Sequence, residues 1–139
     1  MFKNAYRMLK NQMILGLAVA GLTLVGINGA DVDMTKVPPA STRTDVTFDK
    51  DIKPMFEKTC FKCHGAEKQK GKLRLDSLAA VKKGGESGEA IVIGKSGTSS
   101  LVHSISGALE DIMPPDGKGD PLSKEQIGLV RAWIDTGAK

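Results

Sequence analysis

The chain has 139 residues, room for one small domain with appendages, and a formal net charge of +4. Its first thirty residues hold three basic residues and no acid, which leaves 17 basic against 16 acidic residues beyond them, a net +1. The basic excess belongs to the leader, so composition gives no ground for a nucleic-acid partner.

In chain order, "MFKNAYRMLKN" is followed by "MILGLAVAGLTLVGI", residues 13–27, a run of fifteen residues without a charge. Basic then apolar is the plan of a secretory signal peptide. The run is short against the roughly 20 residues of a membrane span. Cutting after Ala30 puts Asn28 where a small residue is preferred, so residues 1–30 are read as a signal peptide or, uncleaved, as an N-terminal membrane anchor. The expected location is the periplasm, soluble or tethered to the inner membrane by residues 13–27. Residues 31–46, "DVDMTKVPPASTRTDV", show no helical or strand period and read as a flexible linker.

Residues 47–139 form the expected domain, with Phe48, Phe56, Phe61 and Trp133 as its aromatics. A core this small calls for a staple or a cofactor. In "DKDIKPMFEKTCFKC", Ile52, Met55, Phe56 and Thr59 have helical spacing, and Pro54 fixes the start around Asp49 to Asp51. "DSLAAVKK" (76–83) makes two turns before Gly84 and Gly85, and "SSLVHSIS" (99–106) makes a further short helix. "SKEQIGLVRAWIDTGAK" opens on Ser123 and Gln126, a capping box, and carries the stripe Ile127, Val130, Trp133 and Ile134 before Gly137. The domain is all-α with long Gly/Pro-rich loops.

Its chemistry centres on "TCFKCHG", where Cys60, Cys63 and His64 are the candidate site. A thioredoxin-like pair belongs beside a βαβ pattern, and none is visible. Structural zinc needs four ligands. Cys60, Cys63 and His64 give three, His103 would be a fourth, and no closing Cys or His pair follows. The C-x-x-C-H spacing signals one covalent haem c. Two thiols three residues apart on a helical turn face one porphyrin edge, and the next imidazole reaches the iron. Together with an export signal the reading is strong, because haem is attached after export.

A haem calls for a sixth ligand or an open position. Met113, in "EDIMPPDGKGD", is the one methionine after residue 55, and Pro114 and Pro115 stiffen the loop that presents it. An isolated methionine is more often a gap-filler. Its place between two helices beyond the haem motif favours the ligand. His103, on a helix, is the alternative.

The stretches "DIKPMFEKTCFKCHG", "KQKGKLRLDS", "KGGESGEAIVIGKSGTSSLVHSI" and "MPPDGKGDPLSKEQIGLVRAWIDTGA" together resemble the planctomycete-type cytochrome c domain, a kind of class I cytochrome c. The resemblance spans almost all of residues 47–138. It implies a helical cytochrome c fold with crossing first and last helices, Trp133 near the haem, Cys60 and Cys63 as thioethers, His64 proximal and Met113 distal. Ile93 stands where a proline is usual, "KSGTSS" lacks the family's proline and acid, and His103 stands where a basic residue is common. With His64 and Met113 both on iron, the expected function is one-electron carriage and not enzymatic catalysis. The alternative is a haem subunit of an exported dehydrogenase or oxidase, and gas sensing or peroxidase-type chemistry would need the sixth position open. Lys62, Lys68, Lys70, Lys72 and Arg74 cluster around the haem motif, which suits an acidic redox partner protein, with Arg74 an alternative haem-propionate partner. A membrane is a partner only if the leader is uncleaved.

Overall fold

The computed structural model describes residues 31–139, and the leader expected in residues 1–30 lies outside them. Among the described residues there is no strand, only the isolated bridges His64–Gln69 and Gly85–Gly88, so the all-α class expected from the sequence holds. No helix among them is long and apolar enough to cross a membrane.

The helix expected from Asp49 onward is built in three pieces. A π-helical turn spans Phe48–Ile52, helix α1 spans Lys53–Thr59 and helix α2 spans Phe61–His64. Pro54 has no N–H to offer the turn behind it. The chain instead uses wider bonds there, with Ile52 N–H donating to the Thr47 carbonyl at 3.4 Å and Lys53 N–H to that of Phe48. Cys60, at φ −112°, marks the joint between α1 and α2. Helix α3 (Leu78–Lys83) starts at Ser77, whose hydroxyl accepts from Ala80 N–H, and α4 covers Ser100–Ser106.

Helix α5, Lys124–Asp135, has both arms of its capping box: Gln126 N–H donates to Ser123 Oγ at 3.2 Å, and Ser123 N–H donates to Gln126 Oε1 at 2.8 Å. A cap of this kind contributes about 1 kcal/mol. The stripe Ile127, Val130, Trp133 and Ile134 is buried throughout. It packs against α4 and against the π-helical turn that opens α1. Trp133 is fully buried, with its ring 5.7 Å from that of Phe48, and its indole N–H donates to the Lys139 carbonyl at 3.0 Å. Phe48 N–H donates to the same carbonyl at 2.7 Å, so the first and last segments close on each other.

Residues 31–46, expected to be a flexible linker, are instead laid along the helices. Asp33 N–H bonds the Ala108 carbonyl at 2.8 Å, Ser41 N–H bonds that of Gly128 at 2.9 Å, and Arg131 donates to the Pro38 carbonyl. Gly128 permits this contact, since a Cβ there would meet the Pro39 carbonyl oxygen at 3.0 Å. Arg43 then joins Asp45 to Asp51 at the start of the first helix. Proline pairs and hydroxyl residues mark irregular backbone, which is what forms, but irregular backbone can dock when its carbonyls find donors.

The loop before α4, where the sequence departs from the family it resembles, is fastened from the other side. Ser96 N–H and its hydroxyl donate to the two carboxylate oxygens of Asp135 at 2.7 and 2.8 Å, and Gly94 N–H donates to the Ile134 carbonyl at 2.9 Å.

Candidate functional site

The joint at Cys60 sets the site. Cys63 and His64 N–H groups both bond the Cys60 carbonyl, at 3.0 and 2.8 Å, winding the motif into a single tight turn. Both thiols are free and half-buried. They face a cavity of about 160 Å³ whose wall continues through Leu75, Leu101, Ile105 and Met113. A second cavity of about 270 Å³ shares Cys63, His64, Leu73, Ala90, Met113 and Lys118 with the first, so the two are lobes of one apolar slot.

His64 is held by the strand-like stretch that follows it. Its Nδ1 lies 3.3 Å from the Leu73 carbonyl oxygen, and its own carbonyl accepts from Leu75 N–H at 2.8 Å. A carbonyl can only accept, so Nδ1 carries the proton and Nε2 keeps its lone pair for a metal. An imidazole oriented this way is a better ligand than a free one. Met113 is half-buried and lines both lobes, with its N–H tied to the Ser104 carbonyl at 2.9 Å and its peptide to Pro114 in the cis form. The sequence candidates Cys60, Cys63, His64 and Met113 thus meet at one slot.

His103 does not. Its Nε2 is 2.8 Å from the Gly97 carbonyl oxygen, and it belongs to neither lobe. Trp133, expected near the haem, lines neither lobe and packs against Phe48. Arg74, one expected propionate partner, is engaged by Asp76 through two contacts of 3.0 and 2.6 Å. That pair holds the Asp76 carboxyl below the usual range, chiefly through the hydrogen bond from Arg74.

The competing readings of the motif fare poorly. Burial pushes the Cys60 thiol up to about 12. A thiol-redox centre needs the opposite shift. Among the described residues no three His, Cys, Asp or Glu side chains converge as a metal site. The set does fit a haem: two thiols on one turn, an imidazole with a free Nε2, a facing thioether and an apolar wall.

Sequence reading missed the wall itself. Leu73 and Leu75 carry a weak signal in the alternation of "KLRLD", whereas nothing near Ala90 or Lys118 marks them as lining a slot.

A family model described as planctomycete cytochrome C matches residues 60–117, from the first thiol to just past Met113. No curated protein and no solved structure matches the chain. The fold is that of a small all-α cytochrome c-like domain, and a cytochrome c domain implies covalently bound haem c.

Proposed function

We propose that this protein is a periplasmic one-electron carrier. Cys60 and Cys63 would hold a single haem c, and His64 and Met113 would supply the two ligands to its iron. The observation that carries the reading is that Cys63, His64 and Met113 line both lobes of one apolar slot. Bound there, haem c supplies a one-electron ferric–ferrous couple.

The chain's own residues do the rest. The Leu73 carbonyl fixes the imidazole, and the Ser104 carbonyl fixes the backbone of Met113. Leu75, Leu101 and Ile105 make the slot apolar and would keep water from a bound haem, whose reduction potential a thioether ligand would raise. If His64 and Met113 both bind the iron, no position would be left for a substrate, which supports carriage over catalysis. Lys62 and Lys70 line the slot and, with Lys68 and Lys72 in the same stretch of chain, are exposed, which suits an acidic redox partner that docks at this edge.

The test is optical. Met113→Ala should lose the weak long-wavelength sulfur–iron band of the ferric protein and bind cyanide or carbon monoxide readily. His103→Ala should leave the spectrum unchanged. Exchange of these two phenotypes would overturn the ligand assignment.

A further inference from the structure

The two lobes of the slot differ in what surrounds them. The smaller holds both thiols, with Thr59 and Pro114 beside them. The larger has Cys63 but not Cys60, and it runs on to Lys70, Gly71, Gly85, Ser87 and Gly88, which the smaller lobe does not reach. No aspartate or glutamate lines either lobe, whereas Lys62 lines the first, Lys70 the second and Lys118 both.

The wall at this end is backbone, drawn in by glycine. Glu86 N–H donates to the Gly71 carbonyl at 2.8 Å, joining the two loops. A Cβ on Gly85 would come within 2.6 Å of the Gly71 carbonyl oxygen, so the loops close only over a glycine. Glu86, between the lining residues Gly85 and Ser87, is exposed and is not part of the wall, although its carboxylate would lie 3.6 Å from a Cβ on Gly71.

We propose that this end of the larger lobe is a carboxylate subsite that receives the propionate groups of haem c, with the Lys70 ammonium and the Ser87 hydroxyl as their donors. The inference rests on the haem reading above. Haem c is joined to protein through its former vinyl groups and bears its two carboxylates on the opposite edge of the ring. With Cys60 only in the smaller lobe and Cys63 where the two lobes join, the carboxylates fall at the end of the larger lobe remote from Cys60. That end offers the Lys70 ammonium and the Ser87 hydroxyl, and no carboxylate is part of its lining, which suits a carboxylate drawn partly out of water. Lys118 lines both lobes and so does not mark this end, and Arg74, which lines neither, is engaged by Asp76.

The measurement is proton NMR on the reduced holoprotein, in which through-space contacts identify the neighbours of the propionate methylene protons. Contacts to the side chains of Lys70 and Ser87 are expected. Contacts to Arg74 or Lys62, with none to Lys70 and Ser87, would overturn the subsite. As a second readout, Lys70→Gln removes a cation beside the carboxylates and should lower the midpoint potential more than Lys68→Gln or Arg74→Gln does. Equal shifts in all three would also overturn it. Failure of the wild type to retain haem defeats the haem reading itself, whereas retained haem with misplaced propionates defeats only this inference.

Discussion

Replacing Trp133 with alanine empties the contact that closes the first segment onto the last. The indole has no exposure, lies 5.7 Å from Phe48 and donates to the Lys139 carbonyl at 3.0 Å. An aromatic side chain buries about 150–250 Å², worth roughly 4–6 kcal/mol at about 25 cal/mol per Å². Alanine retains part of that area, and the lost hydrogen bond adds about 1 kcal/mol. The expected loss is therefore about 4 kcal/mol, within the usual range of about 3–5 for such truncations. For a domain stable by about 5–15 kcal/mol this is a large fraction, and at about 4–8 °C per kcal/mol it lowers Tm by roughly 20 °C. Urea titration of the holoprotein followed by far-UV circular dichroism measures it, with an unchanged slope confirming that the same surface unfolds. A loss below about 1 kcal/mol would refute the reasoning, since it would mean that Trp133 does not fill the centre of this contact.

Two further outcomes follow from charges. The Asp51 carboxyl accepts from Thr47 N–H and from Arg43, which together hold it below the usual carboxylate range. A depressed folded-state pKa contributes stability that is present above about pH 4 and lost as pH falls through the lower folded value. Asp51→Asn should therefore be less stable than wild type at neutral pH, and the gap should close below about pH 4 in acid titrations of Tm. A gap independent of pH would contradict the assignment. Reversing Lys62, Lys68 and Lys72 to glutamate should slow electron transfer to an acidic partner at low salt and matter little at high salt, in stopped-flow mixing. An unchanged low-salt rate would leave these lysines as a solvated surface.

Much of this was legible because it is local. The capping box at Ser123 and Gln126, the stripe down α5 and the Cys60–Cys63–His64 turn depend on spacing alone, and each formed as the spacing indicates. What escaped depends on contacts across the chain. The docking of residues 31–46 needs Gly128 and Arg131, some ninety residues away, and no local pattern records that pairing. The π-helical turn comes from Pro54, whose effect on helix start was visible but whose remedy of wider hydrogen bonds was not. Likewise Arg74 looked available as a cation until Asp76, two residues on, turned out to face it.

Covalent attachment of haem by Cys60 and Cys63 is tested most directly by mass spectrometry of the denatured protein after acid–organic extraction. The wild type should retain one haem mass on the polypeptide, and a Cys60→Ala/Cys63→Ala double variant should carry none. A wild-type chain that gives up its haem to the solvent, or that has none after co-expression with the attachment machinery, would contradict the account.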